Sequence, residues 1–328
     1  MKSTQPDYEF AVLGAGALGS ILGAHLARAG RSVVMLARGR RAEQIRADGL
    51  RITGLAEFTT AVPTLSDPGQ LRSAGVLIVA TKTPGTAEAL VSLRHADIDV
   101  ALSIQNGPLK NELLAEAFGE QRVLGALANT SGELLPNGQV LFTRNVNILV
   151  GELSGEASSR AQRIASDIDA SGVRAAAVTD IISLEWSKFA AWVGLMALSV
   201  TTRAFTGRYL SDSGSALVLV RLIREMGHLT RVLNIELTDE AVLPVATICR
   251  GTEEAAVAAL MKIGREFESN APLHKMSSLQ DLEAGRPLEI HETLGYALRK
   301  AAQKAMALPL TDAFYHVISA LDRMRLAH

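Results

Sequence analysis

The sequence has a single cysteine, Cys249, in 328 residues. With one thiol no intrachain disulfide can form, and a CxxC redox pair or cysteine-rich zinc site is excluded. Set between Ile248 and Arg250, it reads as a small apolar filler. Net charge is also lacking: 33 basic and 34 acidic residues leave a formal -1. No field follows that would draw nucleic acid or an anionic membrane. The most apolar stretch, residues 189–200, falls short of the roughly 20 residues of a membrane span and is expected to be a buried helix. Residues 1–8 are polar and lack the apolar core of a signal peptide, so a cytoplasmic protein is expected. The histidines (His25, His95, His228, His274, His291, His316 and His328) show no ligand spacing with carboxylates or Cys249, and no metal site is expected. No internal repeat or low-complexity tract is present.

What remains is an ordinary globular balance, 48% hydrophobic and 20% charged. The length favours two domains, since single cores stop growing at about 250–300 residues. In the first half, apolar runs at 10–13, 32–36, 76–80 and 100–104 alternate with helical segments at 17–29, 40–48 and 86–94. Continuous apolar strands separated by helices mean a parallel sheet covered on both faces. Runs at 140–143 and 146–150, either side of an expected turn at Arg144-Asn145, read as a more antiparallel edge. A helix at 156–170 and a strand at 173–178 would finish this domain.

From about Asp180 helical periodicity takes over, with helices expected at 182–200, 213–233, 239–249, 253–267 and 290–306. The fold class is therefore α/β, an N-terminal doubly wound sheet (residues 1–179) joined to a C-terminal all-α domain (residues 180–328). The join has no Pro/Ser-rich linker, so an interdomain cleft is the expected ligand site.

Gly14-Ala15-Gly16-Ala17-Leu18-Gly19 follows the first strand and opens the first helix. Gly14 allows the tight turn, Gly16 lets backbone approach a pyrophosphate, and Gly19 lets helix and strand pack closely. The helix N-terminus then offers free N–H groups to phosphates. In this strand–turn–helix setting the hexapeptide indicates a Rossmann-type dinucleotide site. An NAD enzyme would carry an acid at the end of the second strand, about 20 residues on. This chain instead has Leu36-Ala37-Arg38-Gly39-Arg40-Arg41, with no acid before Glu43. A guanidinium pairs with the 2′-phosphate of NADP and a carboxylate repels it, so NADPH is the expected cofactor. Arg38 is the leading candidate, with Arg40 or Arg41 in support.

Thr81-Lys82-Thr83 and Gln105-Asn106-Gly107 follow the strands ending at Ala80 and Ile104, where ligands bind in parallel sheets. Asn106 could hydrogen-bond the nicotinamide ribose or the substrate, or be half of a plain turn dipeptide; Lys82 could sit near the cofactor. In the second half Lys188 is the only charge between Glu185 and Arg203. Its head must find water, a partner or a ligand. Further on come Ser277-Ser278-Leu279-Gln280-Asp281 and Gly285-Arg286-Pro287-Leu288-Glu289-Ile290. Singly these read as a snorkelling lysine, an N-cap serine and a solvated glutamate.

Taken in order, the glycine motif, Arg38, Lys82, Asn106-Gly107, Trp186-x-Lys188 and Ser277 through Glu289 resemble the ketopantoate reductase (2-dehydropantoate 2-reductase) family over nearly the whole chain. The resemblance implies NADPH-dependent reduction of a 2-oxo acid, as in pantothenate biosynthesis. It makes Lys188 the general acid, Glu289 the group that positions Lys188 or the substrate, and Ser277 the residue that binds the substrate carboxylate; Asn106 lies near the nicotinamide. The chemistry agrees: hydride attack builds negative charge on the ketone oxygen, which an ammonium stabilises before giving up a proton. His274, close to Ser277, could also approach the substrate. A homodimer is compatible with this reading.

The family places asparagines four and eight residues after the lysine, where this chain has Trp192 and Met196. One branch has such an apolar helix followed by Thr-Arg-x-x-x-Gly, matching Thr202 to Gly207. Two readings follow. Either Trp192 and Met196 line a pocket for a more apolar 2-oxo acid, branched or aromatic, or they pack in the core and other groups read the substrate. Two rival functions are an (R)-2-hydroxy-acid dehydrogenase of the same fold and a non-catalytic NADPH sensor. Arg38 argues against the first if it is NAD-linked, and the set Lys188, Ser277 and Glu289 argues against the second.

Overall fold

The computed structural model describes residues 6–326. Residues 1–5, part of the polar start, and His328 of the histidine set lie outside the described residues. The chain divides into two compact units, Met1–Ile182 and Ser183–His328.

Among the described residues the first unit is a ten-stranded sheet with five α-helices. Its strands are β1 (Tyr8–Leu13), β2 (Val33–Leu36), β3 (Leu50–Gly54), β4 (Phe58–Thr60), β5 (Thr64–Leu65), β6 (Ser73–Val79), β7 (Asp97–Ser103), β8 (Val123–Leu134), β9 (Val140–Glu152) and β10 (Ala175–Ala177). The helices are α1 (Ala17–Arg28), α2 (Gly39–Asp48), α3 (Thr86–Val91), α4 (Leu109–Phe118) and α5 (Ser159–Ala170). The order is β4-β3-β9-β8-β7-β6-β1-β2-β5, with β10 beside β9. From β5 to β8 every pairing is parallel.

The apolar strands supply both faces because successive side chains point to opposite sides. Phe10, Val12, Val33, Met35, Val76 and Ile78 join a core with Ile21 and Leu22 of α1 and Ile164 and Ile168 of α5. Their neighbours Ala11, Leu13, Val34, Leu36, Leu77 and Val79 join the opposite core with Leu90 of α3 and Leu114 of α4. This is the doubly wound arrangement expected.

The far edge differs from expectation. Arg144 and Asn145 are not a turn but lie inside β9, which runs antiparallel to β8. Phe142 and Ile148 are buried while Thr143 and Arg144 face out, so a strand with one solvated face looked like two short ones. Register shifts in β8 near Ala128–Thr130 and Ser131–Gly132 absorb the irregularity. The true turn is Leu135 to Gln139, where Gly138 has φ +85° and its N–H bonds the Leu135 carbonyl.

The second unit is helical: α6 (Ile181–Thr202, which begins two residues inside the first unit), α7 (Thr206–Ser211), α8 (Ser213–Val232), α9 (Val245–Arg250), α10 (Glu253–Asn270), α11 (Ser277–Glu283), α12 (Leu294–Ala302) and α13 (Pro309–Leu326). α9 covers only the end of the helix expected at 239–249, because Pro244 lacks an N–H and suits only a helix start. The expected helix at 290–306 is trimmed at both ends, and Glu289 to Thr293 form a turn instead. The length argument against a membrane span is corrected too. α6 has 22 residues and is apolar enough to cross a bilayer, but 78% of its most apolar window is buried within the protein, as in a core helix.

Candidate active site

Each glycine of the first turn has a measurable reason. Gly14 has φ +105°, and a Cβ there would stand 2.8 Å from the Thr81 backbone nitrogen. A Cβ on Gly19 would fall 2.0 Å from the Gly14 carbonyl oxygen, so only glycine lets α1 sit this close to β1. Gly16 is the opposite case: it is exposed, and nothing lies within 4 Å of where its Cβ would be. It is also the N-cap of α1, with no side-chain cap and no acid in the first turn of that helix. Ala17 and Leu18, whose N–H groups open that turn, are half-buried, and Ala15 is buried. Open space at Gly16, unused N–H donors and positive dipole potential fit the pyrophosphate of a dinucleotide.

Past β2, Arg38 is the exposed N-cap of α2, and Arg40 is exposed beside it. Arg41 is turned inward. Its Nε donates to the Ala15 carbonyl at 3.0 Å, Nη1 to the Gly138 carbonyl at 2.7 Å and Nη2 to the Ser20 hydroxyl at 2.9 Å. Burial pulls its pKa below the usual guanidinium value. The expectation of Arg41 as a supporting phosphate ligand is therefore replaced by a clamp that holds the glycine turn to the β8–β9 turn.

At the ends of β6 and β7, Lys82 is exposed and Asn106 is half-buried. Gly107, at φ +80°, turns the chain just after Asn106. A residue the sequence did not single out joins these loops. The Gln105 side-chain amide donates to the Thr81 carbonyl at 3.0 Å, the Thr81 hydroxyl at 3.1 Å and the Thr86 hydroxyl at 2.8 Å. Its oxygen accepts from Ser103 at 2.9 Å. The position just before Asn-Gly at a strand end was the only clue.

In the helical unit, Lys188 is half-buried on α6. Trp186 is 5% exposed, its ring 5.6 Å from Phe189 and 6.1 Å from Tyr296, so it pins α6 to α12. Lys188, Trp192, Met196 and Ser199, spaced by four, four and three residues, share another face. That face meets the Ser277 and Glu289 segments through two hydroxyls. Ser199 and Ser278 Oγ atoms lie 2.9 Å apart. The Thr293 hydroxyl reaches the Met196 sulfur at 3.1 Å and also donates to the Glu289 carbonyl. Ser277 is half-buried as the first residue of α11; the N-cap is Met276, not the serine. Glu289 is half-buried. Of the two residues that replace asparagines, Met196 is 1% exposed against Thr293 and takes the core alternative, while Trp192 is only half-buried. His274 is engaged with Thr206, ring Nδ1 to hydroxyl at 2.9 Å. Ser199 and Thr293 carry no motif that would mark them, and Ser278 stands in the Ser277 segment with no role of its own there. Among the described residues no group of three His, Cys, Asp or Glu side chains is arranged to hold a metal.

A doubly wound sheet with an open glycine turn, followed by a helical unit with a lysine-bearing helix, defines a nicotinamide-dependent oxidoreductase acting on a small molecule. Family models described as "Ketopantoate reductase PanE/ApbA" and "Ketopantoate reductase PanE/ApbA C terminal" match residues 10–155 and 180–322. The chain belongs to the ketopantoate reductase family. It is 28% identical over 292 residues to a 2-dehydropantoate 2-reductase of Archaeoglobus fulgidus, covering 89% of this chain and 90% of that one. Two solved structures share the fold. A PanE/ApbA family ketopantoate reductase from Ralstonia eutropha has TM-score 0.81 at 23% identity, covering 96% of this chain and 99% of that one. D-mandelate dehydrogenase with NADH and anilino(oxo)acetate has TM-score 0.82 at 19% identity, with the same coverage.

Proposed function

We propose that this chain reduces the ketone of a 2-oxo acid to the 2-hydroxy acid with NADPH, and that Lys188 is the general acid. The observation that carries this reading is the face of α6 bearing Lys188, tied by Ser199–Ser278 and Thr293 to the segments of Ser277 and Glu289. The segments that carry Ser277 and Glu289 are thereby docked along the same helix that bears Lys188.

The glycine turn from Gly14 to Gly19 binds the pyrophosphate, and exposed Arg38 pairs with the 2′-phosphate. Asn106 holds the nicotinamide ribose or the substrate, and Lys82 lies at the cofactor. Reduced nicotinamide, when bound, supplies the hydride. The Lys188 ammonium stabilises the charge that develops on the keto oxygen, then transfers its proton to that oxygen. Glu289 keeps the ammonium charged and aimed, and Ser277 binds the substrate carboxylate. Ketopantoate, the substrate named for the Archaeoglobus relative, is one candidate. Trp192, half-exposed one turn after Lys188, favours a more apolar 2-oxo acid, because an indole offers a branched or aromatic side chain more than an asparagine would. The reading places the reaction in the cytoplasm.

Oxidation of NADPH and of NADH, followed with ketopantoate, 2-oxoisovalerate and phenylpyruvate, tests it. NADPH-preferring turnover of at least one acid is expected, abolished to within background by Lys188→Ala with NADPH binding retained. Preference for NADH would overturn the cofactor assignment, and kcat/KM for ketopantoate far above the other two would overturn the role of Trp192. Turnover of none would leave a nucleotide-binding protein without this chemistry.

A further inference from the structure

Lys110, on the first turn of α4, is 3% exposed, which is rare for an ammonium because leaving water costs several kcal/mol. The mechanism above gives it no task. Its Nζ donates to the Gln105 carbonyl at 3.0 Å and also to the Ala126 carbonyl on β8. The first contact fixes the peptide that enters Asn106; the second anchors that peptide to a neighbouring strand. Gln105 itself grips Thr81 and Thr86 with its amide, and Thr81 fills the space against Gly14. A continuous set of bonds and contacts thus runs Gly14, Thr81, Gln105, Lys110, Ala126, passing from the carboxyl ends of β1, β6 and β7 to the neighbouring strand β8.

We propose that Lys110 and Gln105 are positioning residues that hold the Asn106 loop and the Thr81-Lys82 loop in register with the glycine turn, so that the nicotinamide end of the cofactor is held in one orientation. The proposal rests on the function proposed above but concerns the loops themselves. A loop of irregular backbone has carbonyls with no ladder partner, and buried ones must be satisfied. An ammonium with three donors and no acceptor can meet several carbonyls from different elements at once. An apolar side chain of that length could meet none. The location points to function rather than packing alone, because the carbonyl it meets belongs to the residue next to Asn106. Gln105 matters for the complementary reason: one amide donates in two directions, so that the β6 and β7 loops cannot drift apart.

Lys110→Met keeps the stem and removes the ammonium, and Gln105→Met removes the amide. Hydrogen exchange of the amides at 105–107 and 81–83 in the protein without cofactor reads loop fixation directly; a rise of about tenfold or more in exchange is expected in each variant. NADPH titration is expected to weaken modestly. kcat is expected to fall about 100-fold, since a shift of about 1 Å at the reacting centre costs this much. A larger isotope effect with 4-deuterated NADPH should accompany the fall, a change that mere loss of stability would not produce. Exchange and isotope effect both unchanged in a folded Lys110→Met would overturn the proposal. If that variant does not fold, the same measurements on Gln105→Met decide it. A wild-type protein that binds NADPH yet turns over no 2-oxo acid defeats the proposed function alone, since the exchange measurement still reads the loops.

Discussion

The hydroxyls of Ser199 on α6 and Ser278 on α11 are buried and 2.9 Å apart, and Ser199 also reaches the Met196 carbonyl at 3.1 Å. This pair links the lysine-bearing helix to α11, the helix that starts with Ser277. Ser278→Ala removes one buried hydrogen bond, worth about 1 kcal/mol. For a unit of this size that lowers Tm by about 3 °C. Because Ser277 moves with its neighbour, KM for the 2-oxo acid is expected to rise several-fold while NADPH binding stays the same. Steady-state kinetics beside a thermal melt check this; an unchanged KM would show the pair to be packing only.

Arg38 and Arg41 sit three residues apart and do different work. Arg38 is exposed at the start of α2, whereas Arg41 spends its donors on Ala15, Ser20 and Gly138. Charge-assisted hydrogen bonds contribute about 1.5–3 kcal/mol, so Arg38→Ala should weaken NADPH binding by roughly 10- to 150-fold and leave NADH binding unaltered. Arg41→Met should weaken both cofactors alike, because it loosens the turn rather than removing a phosphate ligand. Titrating both nucleotides against both variants distinguishes the two roles.

His25 of α1 is buried between Phe58 and Phe142, ring centroids 4.9 Å and 5.5 Å away, with Nδ1 bonded to the Ile21 carbonyl at 2.9 Å. Burial lowers its pKa below 6.5; the Ile21 bond opposes this, and Arg28 adds to it. The folded state therefore resists protonation that the unfolded chain accepts. Above the unfolded value near 6.5 the fold loses nothing to this group, and stability falls as pH drops below it. A lower Tm is expected at pH about 5.5 than at about 7.5, with the difference reduced in His25→Gln. Equal slopes in wild type and variant would place the acid sensitivity elsewhere.

These residues show what the sequence could and could not reveal. The glycine turn was legible because its three glycines answer to local rules of turn, approach and packing, and the strand–turn–helix around it is short-range. The two-faced sheet was legible from unbroken runs such as Val76 to Ala80. The helices of the second unit are legible in period more than in number: α7, α11 and α13 have no counterpart among those expected, and the helix expected at 290–306 runs through the Glu289 turn. Pro136-Asn137-Gly138 carries the residues of a turn, but the polar pair Arg144-Asn145 imitates one, since half-solvated strands mimic breaks. Arg41, Gln105 and Lys110 were opaque for another reason. A charged or amide side chain in sequence reads as surface, and only the folded chain shows which carbonyls surround it.

Helix α13 reaches back to the segment just before Glu289. On α13, Asp322 Oδ1 accepts from Arg325 Nε at 2.9 Å, and Asp322 Oδ2 accepts the Leu288 N–H at 3.3 Å. Arg325 also donates to the Leu282 carbonyl at 3.4 Å and to the Arg286 carbonyl. The turn from Gly285 to Leu288 is thereby held at both ends by a pair that is largely buried, with side-chain exposures of 18% and 13%. Glu289 follows directly, so its direction depends on that turn. Arg325→Met leaves the Arg286 and Leu282 carbonyls without this donor and frees Asp322. With the role proposed for Glu289, the expected result is a fall in kcat of about tenfold, since small misorientation of a catalytic group is expensive. NADPH binding should be unaffected, because the residues proposed to hold the nucleotide lie in the first unit. The bridged Arg286–Asp281 pair, 2.7 Å, keeps the turn folded in the variant, so loss of rate with a preserved far-ultraviolet spectrum is the signature. A variant with lowered Tm but undiminished kcat would show that α13 stabilises the helical unit without aiming Glu289.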